Sequence, residues 1–244
     1  MNSSESACTF CGRREVFFSR VYSGERLCRK CFVKSFEDKV RATVARYGML
    51  SYDDRVAVAV SGGKDSVSLL HVLAGMGRKH VRSSLVAVTV DEGIRGYRDE
   101  ALRIAAENCA ELGVEHRTVS FKGLFGRSLD EFARRSKRLE GVTCCAVCGV
   151  LRRRALNVAA RMVGAGKLAT AHTLDDEVQT VLLNLFHGDV WRLAKEKPVT
   201  DVAHPKLVRR IKPFCEIPER ETSLYAYLRG VEFQSCPCPY GSDA

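Results

Sequence analysis

Residues Arg55–Gly77 constrain the fold of this chain more than any other stretch. Arg55–Val60 is a short, β-branched apolar run, typical of a strand buried on both faces of a parallel sheet. The turn Ser61–Ser66 follows at once, and Val67–Leu73 then has the apolar spacing of a helix. A strand, a glycine turn and a helix in this order direct free backbone N–H groups and the positive end of the helix to one point beyond the sheet. The sequence therefore predicts an anion site at this turn.

The glycine turn differs from the common nucleotide-binding motifs. A Walker A loop needs a longer spacer before its Gly-Lys-Ser/Thr end, and the dinucleotide fingerprint needs a third glycine. Ser-Gly-Gly-Lys-Asp-Ser at 61–66 is instead the signature of PP-loop ATP pyrophosphatases, which split ATP between the α and β phosphates and adenylate an oxygen. An ordinary glycine turn that holds a lysine is the alternative, but the flanking strand and helix favour the PP-loop interpretation.

Composition indicates a soluble globular protein with a polyanionic partner. The chain has 244 residues, of which 45% are apolar and 28% charged, and its formal net charge is +10. These values exclude a disordered chain, and no apolar run is long enough to cross a membrane. The start lacks the basic and apolar regions of a signal peptide, so we expect a cytoplasmic location and no membrane partner. Basic clusters at Arg134–Arg138, Arg152–Arg154 and Arg209–Lys212 favour nucleic acid over a merely basic surface.

The eleven cysteines fall into groups, which in a reducing compartment indicates metal or sulfur chemistry rather than disulfides. Cys8-Thr-Phe-Cys11 and Cys28-Arg-Lys-Cys31 are two C-x-x-C pairs whose separation matches a four-thiolate tetrahedral zinc site. Such a closed site has a structural role, and a segment this short is expected to fold only with its metal. We therefore predict a small zinc ribbon with a basic, RNA-facing surface; a merely solvated basic face is the alternative.

The rest of the chain alternates apolar strands with helices. Strands are predicted at 84–90, 115–120, 167–171 and 207–214, and helices at 32–47, 98–113, 128–139, 150–162, 178–186 and 218–228. This alternation is typical of an α/β fold, an open parallel sheet with helices on both faces. We predict two domains, a zinc-binding ribbon over residues 1–34 and a PP-loop ATP-binding catalytic domain over residues 35–244.

Two further segments are expected at the carboxyl edge of the sheet, beside the glycine turn. Asp91–Tyr97 is a polar loop that contains glycine, and His172–Glu177 follows the strand at 167–171. Acidic residues at a helix start can simply cap it, but at this edge carboxylates can hold Mg²⁺ on ATP oxygens, and the geometry favours that role. Arg152–Arg154 crowd the positive end of the helix at 150–162, where a bound anion or an electron-rich cluster would offset the unfavourable charge; solvent exposure is the alternative.

Together these motifs resemble the TtuA family of tRNA 2-thiouridine synthetases, which includes archaeal and eukaryotic cytoplasmic enzymes that thiolate the wobble uridine. The resemblance implies a fold similar to the adenine nucleotide alpha hydrolases. The resemblance covers nearly the whole chain, and the sequence at 91–97 is most similar to the wobble-uridine branch. The matching motifs are the two C-x-x-C pairs, Ser-Gly-Gly-Lys-Asp-Ser at 61–66, Asp-Glu-Gly-Ile-Arg-Gly-Tyr at 91–97, Cys-Ala-Val-Cys-Gly at 145–149, Ala-Thr-Ala-His-Thr-Leu-Asp-Asp-Glu at 169–177 and Cys-Pro-Tyr at 238–240.

The resemblance implies a role for each motif. The glycine turn would hold the ATP phosphates, the backbone at Val90 would read adenine, and Asp176 would act at the catalytic centre through Mg²⁺. Arg152 stands where the family commonly has a lysine, and it keeps the charge but not the shape for a contact to ATP. The residues implied to bind ATP are Ala59, Ser61, Gly62, Gly63, Lys64, Asp65, Ser66, Val90, Arg152, Ala171 and Asp176.

The implied reaction is ATP-dependent adenylation of the uridine C2 oxygen followed by sulfur transfer, which gives 2-thiouridine in tRNA, at the wobble position or in the T loop. Cys145, Cys148 and Cys238 would hold a [4Fe–4S] cluster with one iron open for hydrosulfide. Persulfide chemistry on the same cysteines is the competing interpretation. Cys144 and Cys236 are expected to be neighbours, although either can replace a named ligand. The implied partners are tRNA and a thiocarboxylated ubiquitin-like sulfur carrier, and a homodimer stays open.

One departure and three rival functions remain. Family members usually continue with a second four-cysteine zinc module, and this sequence has no cysteine after Cys238 to build it, which puts the corresponding tRNA contacts in doubt. A tRNA 2-thiocytidine synthetase shares the loop and the cluster but lacks the first C-x-x-C pairs. A PP-loop ligase or amidotransferase on a small molecule would leave the grouped cysteines and the positive charge unexplained. A non-catalytic RNA-binding zinc protein would not need the intact turn at 61–66.

Overall fold

The structure, a computed structural model, describes residues 7–77, 84–136, 143–202 and 204–241. Its strands are β1 (Phe18–Arg20), β2 (Glu25–Leu27), β3 (Arg55–Ala59), β4 (Ser84–Asp91), β5 (Glu115–Ser120), β6 (Lys167–Ala169) and β7 (Arg209–Ile211). Its helices are α1 (Arg29–Arg46), α2 (Lys64–Gly77), α3 (Arg98–Leu112), α4 (Phe121–Phe125), α5 (Leu129–Ser136), α6 (Cys144–Met162), α7 (Leu174–Phe186), α8 (Val190–Leu193) and α9 (Glu219–Arg229). The predicted end of α5 near Leu139, with Lys137 and Arg138, lies outside the described residues.

A five-stranded parallel sheet forms the centre of the fold, in the order β5-β4-β3-β6-β7. The pleat of β3 sends Val56 and Val58 into one apolar cluster and Ala57 into another, on the opposite face. Helices α1, α2 and α9 pack together on the first face, and α6 packs across β3, β4 and β5. The α/β fold with helices on both faces is therefore confirmed.

The strand order places a ligand crevice beside β3. The chain moves outward from β3 through β4 to β5, and it then returns to the other side of β3 with β6 and β7. In open parallel sheets, ligands bind where the order reverses, beyond the carboxyl ends of the strands. The turn after β3 and the segment after β6 therefore face the same crevice.

Several elements differ in length from the prediction. Strands β6 and β7 are shorter than the predicted 167–171 and 207–214. Helix α6 begins at Cys144 rather than near Val150, because the Thr143 hydroxyl accepts a hydrogen bond from the Ala146 N–H and caps it. Residues 144–149, which precede the predicted helix, thus form its first turns.

The β1–β2 hairpin packs into the main core. Phe18 and Leu27 share one buried cluster with Phe36, and Phe36 stacks on Tyr225 of α9 with ring centroids 4.4 Å apart. The predicted boundary after residue 34 falls inside α1, and the division into two domains stays a prediction.

A buried ion pair joins the hairpin to α9. Arg20 is 2% exposed and Glu221 is 1% exposed, and their side chains make two hydrogen bonds of 3.0 and 2.7 Å. Arg20 also contacts Glu25 of β2. Parallel N–H···O bonds between a guanidinium and a carboxylate fix geometry as well as charge, so this pair sets the position of the hairpin against the core.

Helices α7 and α8 carry an exposed apolar surface. Phe186 is 81% exposed and Trp191 80%, and Leu183, Leu185 and Val190 are also exposed. Among the described helices, none combines the length and the hydropathy that a membrane span requires.

We expect the substitution Glu221→Gln to lower the free energy of unfolding by about 3 kcal/mol, because it leaves the buried Arg20 guanidinium with only the partly exposed Glu25 as charge partner. Urea denaturation followed by circular dichroism measures this. The control is Glu232→Gln, which removes the same charge from an exposed pair with Arg103 and should change stability little. Equal effects of the two substitutions would contradict the assigned role of the buried pair.

Candidate ATP and metal sites

The four cysteines near the start of the chain form a compact metal site. The Sγ atoms of Cys8, Cys11, Cys28 and Cys31 lie within 4.8 Å of one another, and Cys11 and Cys28 are 3.7 Å apart. Tetrahedral zinc with Zn–S bonds of about 2.3 Å requires sulfur separations of about 3.8 Å. Burial raises the pKa of Cys8, but backbone N–H groups outweigh it and lower the pKa to about 6, which favours the thiolate that zinc binds. The geometry fits the predicted zinc ribbon.

The turn after β3 is held by its own serines. Ser66 accepts a hydrogen bond from the Ser61 N–H at 3.0 Å and donates one to the Gly63 carbonyl at 2.9 Å. Gly62 has a φ of +89°, and a Cβ there would lie 2.7 Å from the Ala101 carbonyl oxygen. Only glycine fits this position, because α3 packs against the turn. The loop is therefore preformed with its backbone directed at the crevice.

Helix α9 orients the charged residues of the turn. Lys64 Nζ lies 2.9 Å from Asp65 and 2.5 Å from Glu219, and Asp65 accepts a hydrogen bond from Thr222. Burial lowers the pKa of Lys64, but the bonds to Glu219 and Asp65 outweigh it and raise the pKa overall. Glu219 and Thr222 are functional candidates that the sequence interpretation did not include.

Arg98 fastens the ends of the two central strands to each other. Its guanidinium donates to the Val90 carbonyl at 2.6 Å and to the Ser61 carbonyl at 3.0 Å. Arg98 is 5% exposed. The Val90 backbone, predicted to read adenine, thus already accepts one hydrogen bond through its carbonyl. Ala59 lies at the end of β3 in the same region.

Glu92 connects this region to the central cysteines. Its buried carboxylate lies 2.7 Å from Arg98 Nε and 2.7 Å from Arg152 Nε. Arg152 also donates a hydrogen bond of 3.3 Å to Cys148 Sγ. Burial lowers the pKa of Arg152, but the charges of Glu92 and Cys148 raise it above its ordinary value, so the guanidinium stays charged. The sequence predicted no individual role for Glu92 or Arg98, although it placed the loop Asp91–Tyr97, which contains Glu92, at this edge of the sheet.

The central cysteines lie between α6 and the last described segment. Cys148 and Cys238 belong to one packed cluster with Tyr240, and the Cys145 thiol donates to the Tyr240 carbonyl at 3.1 Å. Burial raises the pKa of Cys148, and the charge of Arg152 opposes that rise. Contacts with Tyr240 therefore bring Cys145 and Cys148 of α6 together with the segment that carries Cys238. Cys144 is buried beside them and Cys236 is exposed.

Residue Asp176 combines a structural contact with a position in the crevice. Its Oδ2 accepts hydrogen bonds from the N–H and the hydroxyl of Thr173, which caps α7. Its neighbour Asp175 accepts from the Glu219 N–H at 2.6 Å, at the start of α9. The acidic pair therefore does cap helices, and Asp176 also lines the crevice beside the glycine turn.

A cavity of about 610 Å³ opens at the crevice. That volume is in the range of small-molecule sites. Of the residues predicted to bind ATP, those lining it are Ala59, Ser61, Gly63, Asp65, Ser66, Arg152, Ala171 and Asp176. Gly62, Lys64 and Val90 are not among the lining residues. Gly62 and Lys64 belong to the turn itself, and Arg98 joins the Val90 carbonyl to the Ser61 carbonyl. The structure thus gathers the predicted ATP residues at one site, and their individual roles stay predictions.

Comparison with known proteins places the chain in a family. A family model described as a PP-loop domain matches residues 33–236. The tRNA 2-thiolation protein NcsA of Haloferax volcanii is 37% identical, over 97% of this chain and 77% of that protein. This chain belongs to the PP-loop family, in its tRNA 2-thiolation branch.

Further members of this branch support the assignment. The cytoplasmic tRNA 2-thiolation protein 1 of Oryza sativa subsp. japonica is 37% identical over 97% of this chain and 64% of its own length. The U34-tRNA thiolase NcsA from Methanococcus maripaludis, solved with its [4Fe–4S] cluster, superposes with a TM-score of 0.84 and 36% identity, covering 97% of this chain and 76% of that one. The chain thus spans less than two thirds of the length of the plant relative.

Removal of one thiolate from the first site should abolish zinc binding. We expect Cys28→Ser to lose the bound zinc and to lower the melting temperature, because the metal fixes a segment too short to fold alone. Mass spectrometry of metal content and a thermal melt measure both effects. Cys236→Ser, which removes an exposed thiol, is the control and should keep the zinc. Full zinc content in the Cys28 variant would show that the site is assigned wrongly.

A methyl group at Gly62 should disturb the turn. We expect Gly62→Ala to weaken binding of a non-hydrolysable ATP analogue about tenfold or more, because the left-handed backbone and the Ala101 carbonyl both oppose a side chain there. Isothermal titration calorimetry gives the affinity. Gly75→Ala in α2, where a Cβ meets no atom within 4 Å, is the matched control and should bind normally. Unchanged affinity in the Gly62 variant would rule out this turn as the phosphate site.

Proposed function

We propose that this chain is a tRNA-uridine 2-sulfurtransferase, which uses ATP to convert uridine into 2-thiouridine. The observation that carries the proposal is one continuous set of contacts from the ATP turn to the central cysteines. Arg98 donates a hydrogen bond to the Ser61 carbonyl and forms an ion pair with Glu92. Glu92 also forms an ion pair with Arg152, which donates a hydrogen bond to the Cys148 sulfur. Such contacts suit a reaction in which nucleotide activation and sulfur delivery happen side by side.

The glycine turn and its helix would bind the ATP phosphates. Free N–H groups at the start of α2 and the Lys64 ammonium supply positive charge where the pyrophosphate leaves. The uridine C2 oxygen attacks the α phosphorus, the bond to the β phosphate breaks, and AMP becomes joined to the base. Asp176 would hold Mg²⁺, which neutralises charge on the phosphate oxygens.

Sulfur transfer then replaces the C2 oxygen of the adenylated uridine. A sulfur nucleophile at the level of hydrosulfide adds to C2, and the C2–O bond breaks with AMP as the leaving group, so no net oxidation or reduction is needed. Cys145, Cys148 and Cys238 would hold a [4Fe–4S] cluster, which when bound supplies an open iron for the sulfur atom. Arg152 stabilises the negative charge on the Cys148 thiolate and keeps it beside the ATP cavity.

The RNA would approach across the basic surfaces. The described part of the ribbon, residues 7–34, and the clusters on α6 and β7 supply positive charge, which suits phosphate contacts. The wobble position is favoured, since the related NcsA protein is named a U34-tRNA thiolase. A cytoplasmic location is consistent with the names of the relatives.

Two protein partners belong to this proposal. A thiocarboxylated ubiquitin-like carrier would deliver sulfur in the form that the transfer step requires. A second copy of the chain would cover the exposed apolar surface of α7 and α8, where Phe186 and Trp191 stand largely in solvent.

An anaerobic assay tests the activity. With reconstituted protein, ATP, sulfide and unmodified tRNA transcript, we expect 2-thiouridine and an equal amount of AMP, measured by nucleoside mass spectrometry and chromatography. Omission of ATP should abolish the product. Formation of 2-thiocytidine, or AMP formation on a small molecule without thiolated RNA, would overturn the proposal.

The same protein tests the cluster ligands. Cys145→Ala, Cys148→Ala and Cys238→Ala should each lose most of the iron and the brown colour that accompanies a cluster. Cys236→Ala is the control and should keep both. Normal iron content in any of the first three variants would remove that cysteine from the ligand set.

A further inference from the structure

The cationic side chains that line the ATP cavity are of two kinds, those paired with a carboxylate and those without an ion pair. Lys212 is neutralised, because its Nζ lies 2.8 Å from Glu177 and 2.9 Å from Glu196. Arg152 is neutralised by Glu92. The other two cavity arginines, Arg153 and Arg210, form no ion pair with any carboxylate in the described part of the chain.

Arg210 is the more unusual of these two arginines. Its Nε is buried and has no hydrogen-bond partner among the described residues. Burial lowers the pKa of Arg210 and the positive charge of Arg153 lowers it further, whereas the carboxylate of Glu196, which is paired with Lys212, opposes both effects. A partly buried guanidinium facing a second one is unfavourable unless an anion joins them.

The position of Arg210 separates it from the ATP turn. Arg210 lies on β7, and the turn that would hold the ATP phosphates follows β3, with β6 between them. At a strand spacing of about 4.8 Å, the two places are about 10 Å apart. The predicted ATP contacts run from Val90 on β4 across β3 to Ala171 and Asp176, which follow β6. Arg210 lies on β7, one strand beyond these contacts, so the proposed nucleotide leaves the β7 end of the cavity free.

We propose that Arg210 and Arg153 bind a backbone phosphate of the RNA, next to the uridine that enters the cavity. This inference rests on the proposed function. The uridine must reach the α phosphate of ATP, and its nucleotide brings a phosphodiester into the same cavity. A guanidinium suits this ligand because its planar N–H groups match two phosphate oxygens. The Arg153 Nε donates a hydrogen bond to the Gly149 carbonyl, which positions the Arg153 guanidinium at the cavity.

The test compares two adjacent arginines of β7. Arg210→Ala removes the cavity guanidinium, and Arg209→Ala removes an exposed one that points to the other face of the strand. Fluorescence anisotropy with unmodified tRNA over a series of KCl concentrations gives the affinity and its salt dependence. Calorimetry gives the affinity for a non-hydrolysable ATP analogue.

We expect Arg210→Ala to weaken tRNA binding about tenfold and to lower the salt slope by about one, with unchanged affinity for the ATP analogue. Arg210→Lys should recover part of the affinity, since it keeps the charge but not the planar fork. Because Arg210 forms no ion pair among the described residues and its Nε has no hydrogen-bond partner there, the melting temperature of the RNA-free Arg210→Ala protein should not fall.

Three results would overturn this inference. They are unchanged tRNA affinity in the Arg210 variant, an equal loss in the Arg209 variant, and weaker binding of the ATP analogue with normal binding of tRNA. If the unsubstituted protein thiolates tRNA and one of these results is found, the phosphate site is wrong and the proposed function stands. If the unsubstituted protein neither binds nor thiolates tRNA, the proposed function itself fails.

Discussion

The buried carboxylate of Glu92 is the contact on which the arrangement of the site depends. It lies between two guanidinium groups, and each of these reaches a different part of the chemistry. Arg98 fixes the ends of β3 and β4, where ATP is proposed to bind, and Arg152 fixes the Cys148 thiol. Without the carboxylate, the buried guanidinium of Arg98 would lose its charge partner and would face the half-exposed guanidinium of Arg152. One acidic side chain therefore sets the distance between the two halves of the site.

The zinc ribbon is linked to the same site through α9. Arg20 of the hairpin is bound to Glu221 on that helix, and the same helix presents Glu219 to Lys64 and Thr222 to Asp65. Since α9 packs against α1 and α2 and contacts both the hairpin and the turn, it links the position of the ribbon to that of the ATP turn. A structural metal far from the reacting atoms thus contributes to the geometry of the phosphate site.

Local patterns predicted most of the fold and part of the site. The β-branched run of β3, the turn at 61–66 and the C-x-x-C pairs each carry their signal within a few adjacent residues, so they could be read without knowledge of the packing. The Lys64–Glu219 contact could not, because its partners are separated by 155 positions. The start of α6 was predicted near Val150 because the cap at Thr143 is a weak signal beside the cysteines that follow it. The burial of Arg98 and Glu92 could not be predicted, since it depends on the packing of the folded sheet.

The last described segment returns to the centre of the molecule, where the Gln234 N–H binds the Gly62 carbonyl at 2.9 Å and the Gln234 side chain binds the Tyr97 carbonyl. Cys238 follows on the same segment. A displacement of Gly62 would therefore also move the segment that carries Cys238, the proposed cluster ligand, because Gln234 binds the turn directly.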